Sequence, residues 1–207
     1  MQVLIAKSLG FCFGVQRAMD MIEKSVQEAS PLGEPAETRD PKSKIQNLSR
    51  ANAKDPKSPI HMLGKPVHNR QAVGRLEDLG VRLASSLDDV PAGSTVVVST
   101  HGVGPQVRAE AEARGLILID ATCPFVRRIH RAVKEMAEDG FTIFVFGDAG
   151  HKEVQGILAW ADGKAAAIQS AADVQTSAKK IGLVAQTTKN IDAYRQVVQE
   201  VAGQYIG

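Results

Sequence analysis

Leu116–His130, LILIDATCPFVRRIH, is the stretch whose reading decides the fold. The unbroken apolar run Leu116–Ile119 predicts a strand buried on both faces. Asp120-Ala121-Thr122 ends it, and Cys123 and Pro124 follow at once. Proline suits a first helical position, and Val126, Ile129, Val133 and Met136 recur at helical spacing, so a helix is predicted over Pro124–Glu138. The Cys123 thiol therefore stands where a strand hands over to a helix. Unpaired backbone N–H groups and the positive helix end meet there and favour thiolate over thiol. A thiolate can be a nucleophile or a metal ligand, and this stretch alone leaves both open.

The same arrangement occurs near the N-terminus. Val3–Ala6 reads as a strand, Leu9-Gly-Phe-Cys12-Phe-Gly14 as the turn, and a helix is predicted from about Val15 to Ala29 with Met19, Ile22 and Val26 on one face. Cys12-Phe-Gly-Val15-Gln-Arg17 aligns with Cys123-Pro-Phe-Val126-Arg-Arg128, a weak internal repeat of one supersecondary unit. Residues 30–59 interrupt the pattern with prolines and charges and read as a surface insertion. Further strands are expected at Pro59–Leu63, Val81–Ala84, Thr95–Ser99, Phe141–Phe146, Ala165–Gln169 and Ile181–Ala185. Helices are expected near Arg70–Leu79, up to Arg114, at His151–Trp160, at Ala171–Val174 and at Ile191–Val201. Alternation of this kind predicts an α/β fold of two similar lobes with mainly parallel sheets. The boundary is set at Cys123, giving lobes 1–122 and 123–207.

The 207 residues carry a net charge of +2, too slight to argue for nucleic acid or an anionic membrane surface. No apolar stretch approaches the roughly 20 residues of a membrane span. MQVLIAKSLGF lacks the apolar core and cleavage site of a secretory signal, so a cytoplasmic protein is expected. In that compartment the two cysteines, Cys12 and Cys123, stay reduced, bind metal or react.

Parallel sheets bind ligands beyond the carboxyl ends of their strands. The unusual residues fall there repeatedly: Cys12, His68, His101, Cys123, His151 with Glu153, and Thr187 with Thr188. Each has a plain alternative. A loop histidine can simply satisfy its neighbours, Thr187-Thr188 can cap the last helix, Glu153 suits a helix dipole, and either cysteine can be a small buried hydrophobe. His61, inside a strand, and His130, inside a helix, are assigned to packing or solvent. Together the histidines, helix N-termini and Gly-rich turns suit a small anion such as diphosphate. No metal-ligand spacing supports zinc, and no G-x-G-x-x-G or Walker A motif supports a nucleotide.

Gly10-Phe-Cys-Phe-Gly-Val15, Val67-His-Asn-Arg70, Thr100-His-Gly-Val103, Asp120-Ala-Thr-Cys-Pro124, Gly150-His-Lys-Glu-Val154 and Ala185-Gln-Thr-Thr188 together resemble the 4-hydroxy-3-methylbut-2-enyl diphosphate reductase family. The resemblance implies that Cys12 and Cys123 are ligands of a 4Fe-4S cluster and that His68, His101 and His151 hold the substrate diphosphate. It implies that Glu153 supplies a proton to the departing hydroxyl and that Thr187 orients that hydroxyl. The implied reaction is reductive dehydroxylation of the allylic diphosphate to isopentenyl and dimethylallyl diphosphate in non-mevalonate isoprenoid biosynthesis. Hydroxide is a poor leaving group and needs a Lewis acid and a proton donor. Electrons come from an external carrier such as ferredoxin or flavodoxin, since no flavin or nicotinamide motif is present.

Family members resemble a three-lobed assembly, and this chain is expected to hold two of the lobes. The third cysteine ligand and later Ser/Asn residues that also grip the diphosphate are absent from it, which leaves a cluster under-ligated. Three readings follow: a reductase completed by a third lobe, from another chain or from sequence missing here; an anion-binding fragment without a stable cluster; and a redox pair made by Cys12 and Cys123.

Overall fold

A computed structural model describes residues 11–29, 59–64 and 69–205. The expected strand Val3–Ala6, His68 and nearly all of the 30–59 insertion lie outside the described residues. Helix α1 (Phe13–Ala29) begins directly after Cys12. Next come β1 (His61–Leu63), α2 (Arg70–Asp78), β2 (Arg82–Ala84), β3 (Thr95–Val98), α3 (Pro105–Ala113) and β4 (Ile117–Asp120). Helix α4 (Pro124–Glu138) opens the second half, followed by β5 (Thr142–Phe146), α5 (Lys152–Trp160), β6 (Ala165–Ile168), β7 (Ile181–Ala185) and α6 (Ile191–Tyr205). The expected short helix at Ala171–Val174 is a single 3₁₀ turn, Ala171–Asp173, closed by a Ser170–Asp173 capping box.

Among the described residues two sheets form, in the orders β2-β1-β3-β4 and β6-β5-β7, and every pairing is parallel. The chain is therefore an α/β protein. Strand β1 pairs with β3 in the register Met62↔Val97, and β5 pairs with β7 in the register Phe144↔Leu183. Val96, Val97 and Val98 are fully buried, as their unbroken apolar run requires of a central parallel strand. Strand β4 differs from its reading. It lies at the edge of the described sheet, Ile117 is exposed and Leu118 to Asp120 are only half-buried. An apolar run does not by itself distinguish a central strand from an edge strand, because neighbours rather than composition set its burial.

Met19 and Ile22 of α1 pack with Met62, Leu76 and Val97 in one core. In the other half Val133, Ile143, Val145, Val154 and Ile157 join α4 and α5 to the second sheet. Both sheets reverse direction beside their first strand, β1 and β5, and such reversals open crevices at the strands' carboxyl ends.

Candidate functional site

Cys123 is the residue before the first turn of α4, as Cys12 is before the first turn of α1. Pro124 at the first helical position of α4 forfeits no hydrogen bond, since that N–H would be unpaired in any case. The Cys123 N–H donates to the Thr100 carbonyl at 2.9 Å, tying the turn after β4 to the turn after β3. Asp120 braces it from below. One carboxylate oxygen accepts the Thr122 N–H at 3.0 Å and the Thr122 hydroxyl, while the other meets Arg108 at 2.7 Å and Arg127 at 3.2 Å. Burial alone would raise the Asp120 pKa, but the hydrogen bonds of Arg108 and Thr122 outweigh it and bring it to about 2.

Helix α1 is drawn onto this turn. Arg17 donates to the Thr122 carbonyl at 3.4 Å, and a Cβ at Gly14 would stand 2.6 Å from the Cys123 sulfur. Only a glycine two residues past Cys12 lets the two helix starts approach so closely. Both cysteines are free thiols, Cys12 exposed and Cys123 half-buried. Phe11, Phe13 and Phe125, their sequence neighbours, are exposed to solvent.

The other candidates continue from Thr100. The rings of His101 and His151 meet edge to face, with centroids 5.2 Å apart. His151 is the N-cap of α5, and its Nδ1 accepts the Glu153 N–H at 3.2 Å. Glu153 is 2% exposed, which a helix-dipole role would not require. Its carboxylate accepts the Thr187 N–H at 2.6 Å and the Thr187 hydroxyl at 2.8 Å. Thr187 is therefore not the cap of α6; Asn190 is, accepting the N–H groups of Asp192 and Ala193. Cys123, His101, His151, Glu153 and Thr187 thus form one contiguous series reached from four strand ends, and Cys12 is brought to it by α1. His68 lies outside the described residues.

The sequence matches the family described as LytB protein over residues 42–206. The chain belongs to the LytB family. Among its curated relatives, the 4-hydroxy-3-methylbut-2-enyl diphosphate reductase of Dehalococcoides mccartyi is 36% identical over 207 residues, covering 99% of this chain and 63% of that protein. The reductase of the same name from Geobacter sulfurreducens is 36% identical over 97% of this chain and 61% of that protein. The solved structure of the Plasmodium falciparum E-1-hydroxy-2-methyl-but-2-enyl-4-diphosphate reductase superposes with a TM-score of 0.77 at 28% identity, over 97% of this chain and 56% of that one. A second reductase structure, of the terminal enzyme of the non-mevalonate pathway, gives a TM-score of 0.74 at 31% identity, over 97% of this chain and 63% of that one. The LytB chain therefore spans less than two thirds of the length of these relatives.

A cleft of about 350 Å³ also opens in this LytB chain, lined by Gly64, Ser99, Gly102, Lys152 and Gly156 among others. No candidate site residue forms its wall, so volume alone does not mark the chemistry. The sequence reading missed what Gly102 and Gly104 do in the LytB turn. They read as part of a Gly-rich anion cradle, yet a Cβ at Gly102 would meet His130 Cε1 at 2.6 Å and one at Gly104 would meet Ala159 Cβ at 2.5 Å. They let the turn of the first sheet lie against α4 and α5 of the second. The available signal was a histidine, His130, among Val126, Ile129 and Val133 on an apolar helix face.

Proposed function

We propose that this chain carries the substrate-binding and proton-donating portion of a 4-hydroxy-3-methylbut-2-enyl diphosphate reductase, an oxidoreductase of isoprenoid biosynthesis in the cytoplasm. The reaction breaks the carbon–oxygen bond of the 4-hydroxyl, takes two electrons and two protons, and releases water with isopentenyl or dimethylallyl diphosphate. One observation carries the reading: Thr187, Glu153, His151, His101 and the Cys123 turn are joined by successive contacts.

In this account His101 and His151, with His68, hold the diphosphate through imidazole N–H groups beside the N-terminus of α5. Thr187 turns its hydroxyl hydrogen towards Glu153 Oε2, leaving its oxygen lone pairs to accept the substrate hydroxyl and fix its direction. When Glu153 is protonated this hydrogen bond reverses: the acid donates to the Thr187 oxygen, and the Thr187 hydroxyl hydrogen passes on to the departing oxygen. The burial of Glu153 excludes water that would compete for that proton.

The resident cofactor proposed is an iron–sulfur cluster. Two free thiols at neighbouring helix starts fit as two of its ligands, and no group of three metal-binding side chains occurs among the described residues. When bound, the cluster supplies the electrons and a Lewis-acidic iron. The electrons come to it from a carrier such as ferredoxin or flavodoxin. Exposed Phe11, Phe13 and Phe125 around the thiols support a third lobe covering this face and bringing the third thiolate, from the same polypeptide or from another. We also read the lobes as 1–122 and 123–207, a division supported by the two separate sheets.

Anaerobic reconstitution with iron and sulfide, followed by a turnover assay with a chemical reductant, tests this reading. Cluster absorption together with conversion of the allylic diphosphate is the expected result. Diphosphate binding with no cluster and no conversion would leave the anion-binding fragment instead.

A further inference from the structure

His130 is a buried polar group that the proposed reaction does not use. It sits on the core-facing side of α4, is 3% exposed, and its Nε2 has no hydrogen-bond partner among the described residues. An unpaired buried nitrogen costs about 1–3 kcal/mol, so an aliphatic side chain would serve a plain core better. What imidazole provides here is a small flat ring. That ring stacks on Trp160 with centroids 5.7 Å apart and planes 26° from parallel. Trp160 in turn donates its Nε1–H to the Val103 carbonyl at 3.0 Å.

On its edge the ring meets Gly102, where a Cβ would stand 2.6 Å from His130 Cε1 and where φ is +73°. Gly156 of α5 approaches the same place, since a Cβ there would lie 3.4 Å from His130 Nε2 and 3.5 Å from the His101 carbonyl oxygen. His130 and Trp160 therefore underlie the His101–Val103 turn from α4 and α5, while His101 itself meets His151 at the start of α5. The turn belongs to one sheet and its support to the other, so the imidazole pair is assembled across the junction between them.

We propose that His130 is a positioning residue: its ring, wedged between Trp160 and Gly102, sets the height of the turn and so the edge-to-face pairing of His101 with His151. The proposal rests on those two imidazoles being the diphosphate-binding pair. A five-membered ring fits beneath Gly102, whereas a six-membered ring lifts the turn and a methyl group lets it drop.

The test uses the 207-residue chain with histidines labelled for NMR, inorganic diphosphate as the calorimetric probe, and the variants His130→Phe and His130→Ala. Both variants are expected to weaken the through-space cross-peak between the His101 and His151 rings and to lower diphosphate affinity about tenfold. A lower melting temperature with the cross-peak and affinity unchanged in the folded variants would make His130 a packing residue and overturn the proposal. His130→Phe, which leaves no cavity, carries the test if His130→Ala does not fold. Failure of the unmodified chain to bind diphosphate would instead remove the anion reading, and the cross-peak alone would then decide the role of His130.

Discussion

Thr187 donates to Glu153 twice, from its backbone N–H to Oε1 at 2.6 Å and from its hydroxyl to Oε2 at 2.8 Å, joining the end of β7 to the first turn of α5. The two groups are 34 residues apart in sequence and become neighbours because β5 and β7 run side by side. Both carboxylate oxygens are thereby fixed in direction, and the acid has little freedom left to lose when substrate arrives.

Glu153→Gln preserves the shape and the acceptor for the Thr187 N–H but removes the transferable proton. In the reconstituted, assembled reductase its turnover should fall by about 10²–10⁴-fold with substrate affinity nearly unchanged. Steady-state rates and calorimetric affinity check this together, and an unaltered rate would take Glu153 out of the proton path. Thr187→Val keeps the N–H and loses the hydroxyl, so its loss of turnover should be smaller.

Gly14→Ala brings a methyl group onto the Cys123 sulfur, since the added Cβ would stand 2.6 Å from it. Cys123 is a short side chain on a braced turn, with little room to give way. The variant should lose about 1–3 kcal/mol of stability, the usual cost of overpacking, read from denaturant unfolding.

Asp120→Asn leaves Arg108 and Arg127 without their shared carboxylate, at 2.7 Å and 3.2 Å. Removing one partner of a half-buried cluster should cost about 2 kcal/mol and loosen the Cys123 turn. Thermal unfolding measures the first effect, and faster alkylation of Cys123 relative to the exposed Cys12 measures the second.

Acid should weaken the fold through His130 before it protonates Asp120. Burial first, and then the nearby Arg108, holds the His130 pKa down to about 4 from 6.5, with Arg127 acting the same way and Asp120 against it. Burial lowers that of His61 as well. Between pH 6.5 and 4 the unfolded chain binds a proton at His130 that the folded chain does not, so stability falls as pH falls through that window. The loss attributable to His130 approaches about 3 kcal/mol near pH 4. Below that Asp120, at about 2, adds a second loss as it becomes protonated. Denaturant midpoints from pH 7 to 3 check the profile, and His130→Phe should flatten its upper part.

Much of this arrangement was legible because chemistry and periodicity agree. Pro124 and the Val126–Met136 spacing mark α4 with the bounds observed, and polar residues recur at strand ends where parallel sheets open. What sequence could not deliver was set by neighbours. Leu116–Ile119 reads as doubly covered, but β4 stands at the edge of the described sheet. Thr187-Thr188 followed by a helix reads equally as a cap, and only the parallel pairing of β5 with β7 brings Thr187 to Glu153. Gly14, Gly102 and Gly104 read only as parts of turns, and the approach of neighbouring elements makes them contact points. His130 reads as an ordinary helix residue until Trp160 and Gly102 close around it.

The central claim is that the turns bearing the two thiols meet at one site with the imidazoles and Glu153. It is tested most directly by treating the reduced chain with a short bifunctional thiol reagent and weighing the product. A single adduct bridging Cys12 and Cys123, formed much less readily in Gly14→Ala, is the predicted result. Two independent single-ended adducts in the unmodified chain would contradict the account.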